Sequence, residues 1–535
     1  MKIIKLLIQS SKLLFTVASI TSILTGLCST MVIKQVHEAI STEDFNQTEF
    51  ITIFLIFWIC YGVLAVISTY SVSLLTQSIV HQLRVDISNK ILSANFSSIE
   101  RNQGRLLPIL TEDIKTIAVS IDRMPSVTTG LATVIGIMVY MIWFSPLLTL
   151  STIVLFAIVL LITKLSLPLV RKYAEHAREL WNDVYQHFEG LIFGIKELTL
   201  NGDYKKIYVS QLIVPTSKKQ NSYNVKENVA SSVASKSTDL VLLLGFGVLI
   251  LLIYHTQFVT LEFFGQYLIL VMMTISPLSS ATGFLANLKR IEVALEQVKE
   301  VGLALEQRNI NDNEELKSSP KQGETILSLK GVKHEYYNPD QDEHFELGPI
   351  DLTIKKGELI FLLGGNGSGK TTLAKIILGL YSAKSGHLEY ADEKISDQLI
   401  DAYRDKFSAT FVDSYLFDKL IHIDDSRLKD QGQKLIETLE LTKKVKIQNK
   451  RFSTSRLSEG QKKRLGLMVS ILEDKEIYIF DEWAANQDPH FKKIFYEIIL
   501  QDLKKVGKTI IVISHDEQYF DKGDRVIKLM EGKLV

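Results

Sequence analysis

An all-α membrane domain of six helices followed by an α/β phosphate-loop domain is the architecture that this sequence predicts. Three observations carry the prediction. Long uncharged apolar runs are confined to the chain before residue 289, a glycine-rich loop sits between a short apolar strand and a helix at residues 358–380, and everything after the last run is richly charged. With 535 residues the chain is too long for a single core, so two or more domains are expected. Lys plus Arg and Asp plus Glu each number 60, giving zero formal charge. That balance argues against a whole-chain nucleic-acid binder, which is normally basic, so no nucleic-acid partner is expected. Cys28 and Cys60 both lie in apolar runs, which excludes a disulfide scaffold or a cysteine-rich metal site. Nothing in the composition suggests a secreted protein.

A helix that crosses a bilayer needs about 20 consecutive, mostly apolar residues. Residues 13–33 carry no charge, and neither do residues 50–80. Residues 124–163 are uncharged for long enough to cross twice, with Ser145-Pro146 near the middle as a natural turn. Residues 240–261 and 263–288 supply two more spans, interrupted only by Glu262, which is expected at the outer interface. The total is six. Buried helices of a large soluble protein usually stop after about 10 to 14 residues and carry a polar face, so these runs fit a membrane better. Leu27 before Cys28 is too large for a lipoprotein cleavage site, so the first run reads as a retained helix.

Lys and Arg placement orients the spans. Lys2, Lys5 and Lys12 precede the first, whereas Lys34 stands alone against Glu38, Glu43, Asp44 and Glu49 after it. The third and fourth spans, and the fifth and sixth, are joined without Lys or Arg, while the two long connections are basic, with Arg84, Arg101 and Arg105 in one and Arg171, Lys172 and Arg178 in the other. Both termini are therefore expected in the cytoplasm. The long connections hold few Gly or Pro and repeat apolar residues such as Ile87, Ile91 and Leu92, then Leu180, Val184, Phe188 and Leu191, as helices protruding into the cytoplasm do. Aromatic residues Trp58, Tyr61, Tyr140 and Trp143 suit either a cavity wall or a lipid-facing belt. Residues 307–323, with Asn309, Asn311, Asp312, Asn313, Ser318, Ser319 and Pro320, read as a linker. The expected domains are thus 1–306 and 324–535.

The second domain carries the chemistry. After the apolar run 358–363 comes Gly364-Gly-Asn366-Gly367-Ser368-Gly369-Lys370-Thr371-Thr372, then a helical stretch. This is a G-x-x-x-x-G-K-[ST] phosphate loop in its strand–loop–helix setting. Its glycines let successive N–H groups point inward around phosphates, and the helix N-terminus adds favourable potential. Lys370 is placed to reach β- and γ-phosphates, and the Thr371 hydroxyl to coordinate Mg²⁺. A second apolar run, 477–480, ends in Asp481 and Glu482. The first acid can hold Mg²⁺ through its water shell, and the second can accept a proton from an attacking water. Alone, the loop would serve a GTPase or kinase as well.

Between these motifs lies Leu457-Ser458-Glu459-Gly460-Gln461, and His515 ends a further apolar run, 511–514. The first string resembles the LSGGQ signature that sets ABC ATPases apart from other phosphate-loop enzymes, and His515 resembles the ABC switch histidine. Tyr336 falls where ABC domains stack an aromatic ring on adenine, with Tyr337 as the fallback. Gly104-Arg-Leu-Leu107 with Asp113 is similar to the first intracellular loop of ABC exporters. The resemblance narrows at Gly365-Asn366, at Asp481-Glu-Trp-Ala-Ala-Asn-Gln-Asp-Pro-His490 and at Ser514-His-Asp-Glu-Gln-Tyr-Phe520. These strings resemble bacterial cyclic-peptide exporters, a group that includes exporters of lasso-peptide microcins and of siderophore-peptide precursors. Trp483, where most ABC domains have Pro, is the most telling residue. Three positions depart from the family pattern. Val412 stands where a glutamine usually touches Mg²⁺ and the lytic water, Glu459 replaces the first signature glycine, and Asn486-Gln487-Asp488 replaces the common Ala-Leu-Asp of the dimer-contacting loop.

The resemblance implies a six-helix ABC exporter domain followed by an α/β ABC ATPase domain, with ATP and Mg²⁺ as ligands. It implies ATP contacts from Tyr336, Gly364, Asn366, Gly367, Ser368, Gly369, Lys370, Thr371 and Thr372 of one copy, and from Ser458, Gly460 and Gln461 of the other. Metal contacts would come from Thr371 and Asp481, with Glu482 and His515 catalytic. One membrane half and one nucleotide half per chain imply a homodimer in the bacterial inner membrane that exports a cyclic, lasso or siderophore-like peptide. An importer on the same fold and an ATP-gated regulator that does not pump are the alternatives.

Overall fold

A computed structural model of the chain describes residues 11–41, 46–256, 260–304, 316, 319–338, 343–454 and 457–535. By compactness these fall into two units, the second comprising residues 95–97 and those after 306. Most of the expected linker, and the Glu262 side chain, lie outside the described residues. The end of that linker is described: Lys356 Nζ donates to Ser319 Oγ at 2.7 Å, and the Gly323 N–H donates to the Lys356 carbonyl at 3.1 Å.

In the first unit six helices, counted among the described residues, are long and apolar enough to cross a membrane. They are α1 (Lys12–Ser41), α2 (Gln47–Leu92), α3 (Met124–Phe144), α4 (Pro146–Phe193), α5 (Val214–Thr256) and α6 (Leu261–Ala304). The side-chain oxygen of Asn46 accepts the Glu49 N–H at 3.4 Å and so starts α2, with the Glu49 acid in the first turn. At Ser145 the backbone is extended, φ −152° and ψ 98°, which separates α3 from α4. Pro146 follows at the first helical position, where its missing N–H is no loss. The expected turn is a one-residue break. α2, α4 and α5 hold 46, 48 and 43 residues. At 1.5 Å per residue, α2 runs about 69 Å, roughly twice a bilayer's hydrocarbon core. The long polar connections of the sequence are therefore continuations of the spans, joined by short helices such as Phe96–Pro108 and Ile195–Leu200.

This unit turns hydroxyls inward and apolar side chains outward. Ser22 and Ser68 hydroxyls pair at 2.6 Å between α1 and α2, and Thr152 meets Tyr267 at 2.9 Å between α4 and α6. A Cβ at Gly26 would stand 2.5 Å from the Ala132 Cβ, so glycine is what lets α1 approach α3. In lipid, close backbone approach and interhelical hydrogen bonds replace the hydrophobic drive between helices. Trp58, Tyr61 and Trp143 are exposed on the single chain, whereas the Tyr140 hydroxyl meets His37 Nδ1 at 3.1 Å.

Asp113, noted in the sequence for its place after Gly104-Arg105, is 2% exposed. Arg178 of α4 grips both its oxygens, at 2.7 and 2.6 Å. Removing one partner of a buried pair leaves an uncompensated charge. Arg178→Ala is therefore expected to destabilise this unit by about 3–5 kcal/mol. Thermal unfolding in detergent reads the loss, and Asp113→Asn in the Arg178→Ala background should restore part of it.

The second unit contains β1 (Thr325–Asn338), β2 (Glu343–Lys355), β3 (Leu359–Leu363), α7 (Lys370–Ile377), β4 (Ser385–Tyr390) and β5 (Glu393–Lys394). It continues with β6 (Phe407–Thr410), α8 (Glu459–Glu473), β7 (Ile477–Asp481), β8 (Thr509–Ile513), β9 (Arg525–Met530) and β10 (Lys533–Leu534). An antiparallel sheet runs in the order β2-β1-β4-β5, and a larger one in the order β10-β9-β3-β8-β7-β6. In the larger sheet β9, β3, β8, β7 and β6 are parallel. A parallel sheet is covered on both faces, which is why 477–480 and 510–513 read as unbroken apolar runs. Alternation divides them between two cores: Leu359, Phe361, Tyr478, Phe480, Ile510 and Val512 face one, and Ile360, Leu362, Ile477, Ile479, Ile511 and Ile513 the other.

Candidate active site

Register fixes what meets at the carboxyl edge of this sheet. Ile513 of β8 pairs with Leu362 of β3 and with Asp481 of β7. The segments that leave these three strands therefore start side by side: the phosphate loop, the two acids, and Ser514-His515. Ligands bind at this edge in open α/β sheets.

The phosphate loop turns on glycines that no other residue could replace without strain. Gly367 and Gly369 have φ of 76° and 98°, and a Cβ on Gly369 would fall 2.8 Å from the Phe345 ring. Lys370, 6% exposed, donates from Nζ to the carbonyls of Gly364 and Gly365 at 2.7 and 2.9 Å. Its charge thus lies across the mouth of the loop. The Ser368 hydroxyl is buried with no hydrogen-bond partner among the described residues. A buried polar atom of that kind is costly unless something fills the loop, and a phosphate oxygen matches it. Asn366 is exposed at the tip, while Thr371 and Thr372 open α7.

The Thr371 hydroxyl donates to Asp481 Oδ2 at 2.9 Å, which joins the two expected metal contacts. Asp481 is 2% exposed. Burial pushes its carboxyl up from the ordinary aspartate value, the Thr371 bond and the Lys370 charge oppose that shift, and the charges of Glu482 and Asp413 add to it. A hydroxyl and a buried carboxylate side by side form a hard-oxygen pair suited to Mg²⁺. Glu482, the next residue, has φ 49° and ψ 32°. For a non-glycine residue this left-handed backbone is sparsely populated and concentrates at functional sites. Its N–H bonds the Ile513 carbonyl at 3.0 Å, and its Oε1 lies 3.3 Å from His515 Nε2. The left-handed turn thus aims the carboxylate at the histidine rather than along the strand.

Ser458, Gly460 and Gln461 sit at the start of α8. The Ser458 hydroxyl accepts the Gln461 N–H at 3.4 Å, and the Gln461 side-chain oxygen accepts the Ser458 N–H at 3.2 Å, a reciprocal capping box. The hydroxyl acts as acceptor here, so its own proton is available to a phosphate oxygen. Glu459, exposed beside it, pairs with Lys462 at 2.9 Å, which offsets the negative charge that the departure from the signature introduces.

The backbone of Tyr336 pairs with Phe345 across β1 and β2, and its side chain lies outside the described residues. Val412 leaves β6 half-exposed, in a turn in which Ser414 Oγ accepts the Phe411 N–H at 2.7 Å. Asp413 is the residue of this turn whose charge reaches Asp481. Two side chains beyond the sequence-derived set tie α8 to the segment after Glu482. Gln487 donates to the Gly460 carbonyl at 3.2 Å and accepts from Arg464 at 3.0 Å. Departure of Asn486-Gln487-Asp488 from the family wording marked the place in the sequence, but not the contact.

Residues 347–485 match the family described as ABC transporter, and residues 11–202 match the ABC transporter transmembrane region. The ATP-binding protein SyrD of Pseudomonas syringae pv. syringae is 32% identical over 100% of this chain and 96% of its own. A probable ABC transporter ATP-binding/permease protein of Haemophilus influenzae is 24% identical over 81% of this chain and 79% of its own. The macrolide export ATP-binding/permease protein MacB of Mannheimia succiniciproducens is 30% identical, over 39% of this chain and 34% of its own.

Proposed function

Since this chain belongs to the ABC transporter family, as a half-transporter whose ATP-binding domain is that of an ATPase coupled to transport, we propose that two copies pair to export a compact peptide across the bacterial inner membrane. In this reading both termini are cytoplasmic, and the cargo is a cyclic, lasso or siderophore-like peptide. The observation that supports it most is the gathering of Lys370, Thr371, Asp481, Glu482 and His515 at one sheet edge, with one signature helix among the described residues.

ATP lies between the phosphate loop of one copy and Ser458, Gly460 and Gln461 of the other. The N–H groups of residues 366–372 and the Lys370 ammonium hold the phosphates, and the Ser368 hydroxyl finds its partner there. Tyr336 stacks on adenine. Mg²⁺, held at Thr371 and Asp481, would offset charge on the β- and γ-phosphate oxygens. Glu482 takes a proton from the attacking water, and His515 orients Glu482 through their contact and reaches toward the γ-phosphate. Closure of the nucleotide domains is favoured because ATP binds the closed state more tightly, and hydrolysis removes that preference.

Inside-out membrane vesicles test direction and cargo together. ATP-dependent uptake of a lasso or cyclic peptide, with ATPase stimulation by that peptide but not by its linear form, is expected. Loss of preloaded peptide from the vesicles on adding ATP would show import instead, and peptide-independent ATPase without flux would remove the transport reading.

A further inference from the structure

Two cavities lie where α3, α5 and α6 meet in the membrane unit. One, of about 570 Å³, is lined by Arg123 just before α3, by Asn228 and Ser232 of α5, and by Arg290 of α6. The other, of about 660 Å³, is lined by Lys236 and Asp239 of α5 and by Ser276 of α6. Ser235, Ser279 and Ser280 border both, so the two form one polar track. At their junction the Ser279 hydroxyl donates to the Ser235 carbonyl at 2.9 Å and ties α6 to α5. Lys236 Nζ lies 3.1 Å from Asp239 Oδ2, with the Lys236 side chain 70% exposed. This ion pair sits deeper than the uncharged run 240–261 implied. The turn of the α5–α6 hairpin falls between Thr256 and Leu261, and Ser276, across the cavity from Asp239, is about 23 Å along α6 from Leu261. A hydrocarbon core is about 30 Å thick. The pair therefore lies within that thickness, in the half away from the turn, which is the cytoplasmic half in the export reading. Charges at such depth face water or protein, not lipid. Ser232, Ser276 and Ser280 are exposed around it, and toward the turn exposed Leu243, Met272 and Met273 replace them. The track is thus a wet wall with an apolar ceiling.

We propose that this track is a cargo site that holds a peptide by a carboxylate, with Arg123 as the carboxylate's partner. The inference rests on the export reading and names the chemistry of its cargo. Charge along the track decides the sign. Arg290 engages the buried Glu227 through Nε and donates from Nη2 to Asn228 Oδ1 at 2.7 Å. Lys236 meets Asp239. Among the described residues lining the cavities, exposed Arg123 is the cation that remains. Its planar guanidinium matches a carboxylate with two parallel hydrogen bonds. Serine hydroxyls, which both donate and accept, suit the amide groups of a folded peptide. An apolar compound of the same size would cover these groups without pairing them, at the cost of their lost hydration. The track therefore favours an acidic, hydrogen-bonding peptide over an apolar or cationic one.

The test places a thiol in the track by Ser280→Cys, in the full chain carrying Cys28→Ala and Cys60→Ala, in nanodiscs without ATP. Two water-soluble thiol reagents are compared, anionic sulfonatoethyl and cationic trimethylammonioethyl methanethiosulfonate, each rate divided by its rate with free cysteine. The anionic reagent is expected to react about 5-fold faster, as one nearby charge in a partly wet site gives. Arg123→Gln should remove that preference and Arg123→Lys keep it. A lasso peptide with a free C-terminal carboxylate should protect the thiol, and its methyl ester should need about 10–100-fold more for equal protection. Arg123→Gln should erase this difference as well. No labelling by either reagent, labelling blind to reagent charge, or equal protection by acid and ester overturns the proposal. Vesicle transport separates the inference from its premise. ATP-driven peptide uptake without protection of the thiol sinks the cargo site alone, whereas acid-selective protection without uptake sinks the export reading and leaves the site.

Discussion

Glu482→Gln protein is expected to bind ATP, remain paired and lose ATPase activity by about 10²–10⁴-fold, the usual contribution of a positioned general base. The amide keeps the size of the carboxylate and can still meet His515, which stands 3.3 Å away, but it cannot take a proton from water. The left-handed backbone at this residue is retained, since glutamine has no more Cβ bulk than glutamate. The ATP-bound pair should therefore accumulate, visible as a dimer in light scattering and as ATP that copurifies or resists exchange. Turnover at the wild-type rate would show that another group is the base. His515→Ala should also slow hydrolysis, because the proposed mechanism has the histidine orient Glu482 and reach toward the γ-phosphate.

Lys370→Ala should fail earlier in the cycle. The ammonium crosses the mouth of the phosphate loop and bonds two of its carbonyls, so its removal deletes the charge proposed to meet the phosphates and leaves the Gly364 and Gly365 carbonyls without that donor. One lost hydrogen bond to a charged group costs about 1.5–3 kcal/mol, which is on the order of 10–100-fold in ATP affinity. Hydrolysis should fall further, by about 10²–10³-fold, because in the proposed site the same charge faces the oxygens where negative charge develops. Fluorescent-nucleotide binding and ATPase assays check the two figures separately. The variants should differ in kind: Glu482→Gln is expected to trap ATP in a dimer, and Lys370→Ala to leave monomers that hold ATP weakly. A Lys370→Ala protein that dimerises with ATP as readily as Glu482→Gln would remove Lys370 from the nucleotide site.

Much of this molecule was legible because its physical constraints are local in sequence. Uncharged runs of bilayer length must be helices in lipid, where every backbone polar group has to be satisfied within the segment. The break at Ser145-Pro146 and the capping box Ser458-x-x-Gln461 also follow from residue chemistry within a few positions. The phosphate loop was recognisable for the same reason: its glycines, Lys370 and Thr371 must follow one another directly to wrap a phosphate.

Six membrane spans, a nucleotide domain and the residues of its candidate site were each within reach of a pattern a few to some 20 residues long. Tertiary structure alone decided which distant segments meet. The parallel register of Ile513 with Asp481 brings His515 to Glu482, the left-handed turn at Glu482 aims its carboxylate, and Arg178 finds Asp113 across 65 residues of chain. The grip of Trp483 and Gln487 on the signature helix is of the same sort. Strand order and helix packing follow from how whole apolar faces are buried against one another, and that is a property of the assembled core, not of any short stretch within it.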